Sequence, residues 1–110
     1  MVRAAVLADG SSPASEFYEA LEERFRDAYL VRLRKFADTG TLLAPQQLNA
    51  LGDGLIEFKL SEGPRLVAYH AGKRERGLVV VTHGFVKKGR RTPPGEIARA
   101  KAIRVLMEGQ

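Results

Sequence analysis

Apolar residues in the first third of the chain recur at helical spacing. Tyr18, Leu21, Phe25, Tyr29, Leu33 and Phe36 are separated by 3, 4, 4, 4 and 3 residues, a period of 3.6. Glu22, Glu23, Arg26, Asp27 and Arg34 fall between them. The spacing predicts a long amphipathic helix from Ser15, or two helices broken near its middle. Ser15 or Ser12 is the expected N-cap, Glu16 and Glu19 sit where the helix dipole favours anions, and Gly40 is the expected terminator. Ahead of the helix, Val2–Ala8 reads as a short strand and Gly10-Ser11-Ser12-Pro13 as a turn.

Residues 41–53 read as a connector containing Pro45, with one helical turn around Gln46–Leu51. The period then changes. Leu55-Ile56-Glu57-Phe58-Lys59-Leu60 alternates apolar and charged positions, as a half-exposed strand does. A turn at Ser61-Glu62-Gly63-Pro64 leads to a second strand, Arg65–Ala71, and the glycine-bounded Gly72–Gly77 loop leads to a third. That third run, Leu78–Phe85, is almost continuously apolar, which predicts a central strand buried on both faces. Short connections make the three strands antiparallel neighbours. After a basic loop, Thr92 is expected to cap a final helix with Pro93 at its first position and Ile97, Ala100, Ile103, Leu106 and Met107 facing inward. The expected fold is α+β: a long N-terminal helix or helix pair and a C-terminal helix packed on one face of a small antiparallel sheet.

With 110 residues, the chain is expected to form a single domain, residues 1–110. It has no cysteine, which excludes a disulfide scaffold and thiolate chemistry. Neither a membrane-length apolar run nor a signal-peptide start is present, so a cytoplasmic protein without a membrane partner is expected. Charge changes the picture more. Lys and Arg total 18 against 13 Asp and Glu, a formal net charge of +5. The excess is polarised: residues 1–58 carry six basic and nine acidic side chains, whereas residues 59–110 carry twelve and four. The C-terminal half is suited to a polyanion or an acidic partner, although a solvated basic face is the plain alternative.

No phosphate-binding glycine loop or His-Glu-x-x-His pattern occurs, and neither a metal nor a cofactor is expected. If Ile56, Phe58 and Leu60 face the helices, Glu57 and Lys59 face away from them, where Arg65 and Tyr69 can join the basic loop containing Lys87, Lys88, Arg90 and Arg91. Such a face can hold a phosphate, stack a base and stabilise the charge that develops when a ribose 2′-OH attacks its own phosphodiester. The competing reading has Lys59 and Arg65 in ordinary cross-strand pairs with Glu57 and Glu62. His70 is expected to be structural, while His83 lies beside the basic loop.

Leu51-Gly52-Asp53-Gly54-Leu55-Ile56-Glu57-Phe58-Lys59, then Arg65, then Val81-Thr82-His83-Gly84-Phe85-Val86-Lys87-Lys88-Gly89-Arg90-Arg91-Thr92-Pro93 with Glu96-Ile97 and Ala100, resembles the phage-derived, HigB-like branch of the RelE/ParE toxin superfamily. The resemblance spans about Leu51 to Leu106. It implies the toxin of a type II toxin–antitoxin pair: a metal-independent, ribosome-dependent endonuclease of messenger RNA, silenced by an antitoxin that is often a helix-turn-helix protein. Carried over by position, Arg65 matches the strand arginine and Lys87 and Lys88 the lysine pair; His83 matches the histidine before Gly-Phe, and Phe85 is expected in the core. Lys59 stands where the family has arginine, keeping the charge but losing bidentate phosphate geometry. The expected catalytic set is Lys59, Arg65, Tyr69, His83 and Lys87, with Lys88, Arg90 and Arg91 holding flanking RNA. Two alternatives share the fold: a ParE-like inhibitor of DNA gyrase, and a catalytically weak remnant that only binds its antitoxin.

Overall fold

A computed structural model describes residues 1–39, 47–60, 63–71 and 77–109. Strand β1 (Val2–Ala4) leads into helices α1 (Pro13–Ala20) and α2 (Glu23–Thr39), followed by strands β2 (Leu48–Gly52), β3 (Leu55–Lys59), β4 (Pro64–His70) and β5 (Val79–Val86) and helix α3 (Pro94–Glu108). The five strands form one sheet in the order β1-β5-β4-β3-β2. The three expected strands are its antiparallel centre, and β5 is flanked on both sides as its apolar run requires. β1 joins β5 in parallel, so the sheet is mixed.

The N-terminal periodicity resolves into two helices. Ser12 caps α1, its side chain accepting from the Ser15 amide, and its hydroxyl also donates to the Ala5 carbonyl. Leu21 then turns extended at ψ 153°, ending α1. Arg26 donates to the Glu19 carbonyl and the Tyr18 hydroxyl to the Arg26 carbonyl, so side chains satisfy backbone groups around the break. The apolar stripe survives it: Tyr29, Leu33 and Phe36 are buried, and Tyr18, Leu21 and Phe25 pack against them. Gly40, Pro45, Ser61, Glu62 and residues 72–76 of the expected hairpin loop lie outside the described residues.

Several expectations are corrected. Leu48–Gly52 is a strand, not a helical turn, paired to β3 through a two-residue loop. Asp53 and Gly54 there have φ of 53° and 81°, the doubly positive backbone of a type I′ turn, which Asp-Gly tolerates. Second, the helices cover both faces. Phe58, Leu66, Ala68 and Val81 meet α1 and α2, while Leu55, Val67, Tyr69, Val80 and Phe85 meet Ala100 and Ile103 of α3. Alternation along β3 and β4 divides the two cores. Leu106, expected inside α3, is exposed, because Ile97, Ala100, Ile103 and Met107 already define a stripe from which it is rotated by a third of a turn.

Third, Thr92 does not cap α3. Pro93 holds the N-cap position without a side-chain hydrogen bond, and the Thr92 hydroxyl is used on the sheet. A bulge also reshapes β5. Val67 pairs with His83 but Ala68 with Val81, leaving Thr82 as the extra residue, its hydroxyl donating to the Val67 carbonyl. The bulge shifts the alternation, so His83 and Phe85 share the α3 face with Val80. Between them, Gly84 lies directly against the Phe17 ring of α1, with no room for a Cβ.

Candidate active site

The site is built on the α3 face, where β3, β4 and the segment after β5 meet. Lys59 and Arg65 are cross-strand partners, and Arg65 pairs onward with Phe85. Two residue pairs inward, on the same face, Asn49, Glu57, Val67 and His83 stand in successive strands. β5 ends at Val86, and Lys87 is fixed by its amide donating to the Gly63 carbonyl. Helix α2 braces the same corner from behind: the Tyr29 hydroxyl donates to the Pro64 carbonyl and Arg32 to the Lys59 carbonyl. Burial pushes the Tyr29 phenol up to about 12, so it remains a donor.

Glu57 is the centre of the cluster, and its side chain is 0% exposed. Its Oε1 accepts from Lys87 Nζ at 3.0 Å and from Asn49 Nδ2 at 3.0 Å, and Oε2 accepts from the Thr92 hydroxyl. Arg65 Nε lies 3.9 Å from Oε1, and Lys59 Nζ lies 3.5 Å from Asn49 Oδ1. Burial alone raises a carboxyl's pKa, but the hydrogen bonds from Thr92, Lys87 and Asn49 and the Lys87 charge outweigh it and hold Glu57 below its ordinary value. Glu57 is an anion held by cations. Two positive side chains, Lys87 and Arg65, lie against the carboxylate and a third, Lys59, reaches it through Asn49, leaving the cluster with an excess of positive charge. Arg65 and Lys87 are themselves largely covered, with side chains 13% and 7% exposed.

The remaining candidates divide by location. Lys88, Arg90 and Arg91 are exposed on the segment before α3, beside the cluster in sequence. His83 is fully buried, with Nε2 3.4 Å from Glu96 Oε1 and Nδ1 3.2 Å from the Thr82 hydroxyl. Burial lowers its pKa, the Arg99 charge adds to this, and Glu96 opposes it. Tyr69 shares the α3 face but pairs with Leu55 and Val80, four residues along β4 from Arg65, roughly 13 Å at strand rise. Tyr69 is 2% exposed beneath Arg104, whose guanidinium lies 4.8 Å from the ring centre. The structure thus brings Lys59, Arg65 and Lys87 together, adds His83 one row inward behind a closed surface, and leaves Tyr69 under α3. His70 is exposed at the far end of β4, with its ring centre 4.7 Å from that of Phe36.

Sequence reasoning missed Asn49, Thr92 and the central place of Glu57. Glu57 was visible as a polar position in an apolar strand, and the Asp53-Gly54 hairpin turn could have revealed the strand that carries Asn49. Among the described residues, no group of three His, Asp or Glu side chains is placed to hold a metal ion.

A family model described as "Phage derived protein Gp49-like (DUF891)" matches residues 16–104, from the first turn of α1 to the C-terminal half of α3. The chain belongs to the Gp49-like family. This is a phage-derived family of RelE/HigB-type toxins, in agreement with the resemblance carried by the C-terminal half. Among solved structures, the isolated E. coli RelE toxin in its P21 form matches with a TM-score of 0.50 at 21% identity, over 84% of this chain and 90% of that chain. At that identity the likeness is one of fold, α+β as the sequence predicts. No curated protein matches the chain. Within the Gp49-like fold, the matched region includes every residue of the cation cluster.

Proposed function

We propose that this Gp49-like protein is the toxin of a type II toxin–antitoxin pair and that it cleaves messenger RNA on the ribosome. The observation that carries this reading is the meeting of Lys59, Arg65 and Lys87, from three separate stretches of chain, at one corner of the sheet beside an exposed basic segment. Family membership supplies the toxin class.

In the proposed reaction the ribose 2′-OH loses its proton and attacks the adjacent phosphorus. The bond to the 5′-oxygen breaks, giving a 2′,3′-cyclic phosphate and a protonated 5′-hydroxyl. Arg65 and Lys59 bind the phosphate and stabilise the negative charge that grows on its oxygens, and Lys87 adds a third cation. Lys88, Arg90 and Arg91 hold the flanking RNA through its phosphates. His83, buried with its Nε2 3.4 Å from Glu96 Oε1, packs β5 against α3, and Tyr69 supports α3 through Arg104. Lysine at position 59 in place of the family arginine supplies a point charge instead of a fork, which lowers the rate without removing the charge. An antitoxin with an acidic segment laid over the basic segment would neutralise the cations and block RNA; a helix-turn-helix protein is the partner that the family resemblance implies.

Induction of the protein alone in bacteria tests the reading. The expected result is growth arrest with new 5′ ends inside translated transcripts. Intact transcripts with DNA-damage signalling would transfer the protein to the gyrase-inhibiting class, and intact transcripts with normal growth would leave only antitoxin binding.

A further inference from the structure

A buried carboxylate at the centre of a polyanion-binding patch works against binding, because it repels phosphate and is costly to remove from water. Glu57 nevertheless occupies that centre, fully covered, with hydrogen-bonding partners drawn from two other stretches of chain. Asn49 comes from the edge strand β2, whereas Lys87 and Thr92 bracket the basic segment at its two ends. Lys87 Nζ also lies 3.5 Å from the Thr92 hydroxyl, so carboxylate, ammonium and hydroxyl form a closed triangle. On the other side, Asn49 relays the contact to Lys59. Thr92 is used in this triangle although it stands where a helix cap is expected. Substrate cannot reach a fully covered carboxylate, so any effect of Glu57 on a reaction passes through the groups it holds.

We propose that Glu57 is a positioning residue: its carboxylate clamps Lys87 and Thr92 and thereby seats the basic segment from Lys87 to Arg91 against the sheet, beside Lys59 and Arg65. This assignment rests on the RNA-cleaving reading for its consequence and on the triangle itself for its geometry. Glu57 trades affinity for alignment. A clamp of this kind fixes cations where charge develops, and a misplacement of about 1 Å can cost roughly 10²-fold in rate.

The test uses the full-length protein with Glu57→Gln and Thr92→Val. Three readouts are taken: binding of a single-stranded RNA oligonucleotide, maximal cleavage rate in a translating extract, and the side-chain ¹⁵N–¹H resonance of the Lys87 ammonium. Glu57→Gln removes a negative charge, so RNA binding is expected to hold or tighten while the maximal cleavage rate falls about 10²-fold. Thr92→Val changes no charge and removes one corner of the triangle, so cleavage falls at unchanged affinity. The Lys87 resonance is expected to be visible in the wild type, where the clamp slows its exchange, and lost in Glu57→Gln. Equal losses of binding and cleavage that track a fall in melting temperature in both variants would overturn the proposal, as would an unchanged Lys87 resonance. A wild-type protein that leaves RNA intact while Glu57→Gln still loses the Lys87 resonance would refute the RNA-cleaving reading and retain the clamp.

Discussion

Lys87 and Glu57, thirty residues apart in the chain, meet at 3.0 Å where solvent does not reach the carboxylate. The pair joins the middle of β3 to the segment that follows β5. It separates two kinds of positive charge in the protein: Lys87 and Arg65, covered and oriented beside a carboxylate, and Lys88, Arg90 and Arg91, exposed on the surface.

These two kinds should fail differently. Arg65→Ala is expected to abolish cleavage while leaving most ribosome and RNA affinity in place. The double change Arg90→Ala with Arg91→Ala should instead weaken binding and flatten its salt dependence, by about 0.7 in the log–log slope for each lost phosphate contact to single-stranded RNA. Titration of a labelled RNA at several salt concentrations, alongside cleavage assays, checks this. Equal loss of binding in both variants would undo the division.

His83 makes stability depend on pH. Burial lowers its pKa below the ordinary 6.5, so the folded protein favours the neutral ring. The unfolded chain takes up a proton more readily, and stability falls as pH drops below about 6.5, by at most about 1.4 kcal/mol per pH unit. Urea denaturation at pH 7.5 and 5.5 should show a lower midpoint at the acid value, and His83→Asn should remove most of that difference. A wild-type midpoint that is flat across this interval would contradict the assignment.

Gly84 is fixed by close approach. An added Cβ would overlap the Phe17 ring, so Gly84→Ala must push α1 away from β5. Overpacking of this sort costs about 1–3 kcal/mol, which lowers the melting temperature by several degrees in a chain of this size. Combining it with Phe17→Leu should cost less than the sum of the two single changes. Additive losses would mean that the two residues do not oppose each other.

Much of this architecture was legible in advance. The stripe from Tyr18 to Phe36 predicted the helical layer because a 3.6-residue period survives a local break, and alternation in β3 together with the apolar run of β5 predicted the sheet centre. β2 was missed because Leu48-Asn49-Ala50-Leu51 lacks the β-branched and aromatic residues that mark strands, its pairing being set by the Asp53-Gly54 turn. The face covered by α3 was missed because α3 buries only the narrow stripe Ile97, Ala100, Ile103 and Met107, which does not reveal which side of a sheet it covers. Lys59, Arg65 and Lys87 were identified from charge and family resemblance. The clamp at Glu57 was not, since it depends on Asn49 of β2 and Thr92 beyond β5 converging on it from separate stretches of chain. Tyr69 was chosen by strand alternation, which gives the face of a side chain but not whether a helix lies over it.

The cation cluster is tested most directly in a purified translation system programmed with one defined messenger RNA. With the wild-type protein, primer extension should reveal new 5′ ends within the translated region, absent when initiation is blocked and absent with Arg65→Ala. A messenger RNA that stays full length through many rounds of translation in the presence of excess wild-type protein would contradict the account.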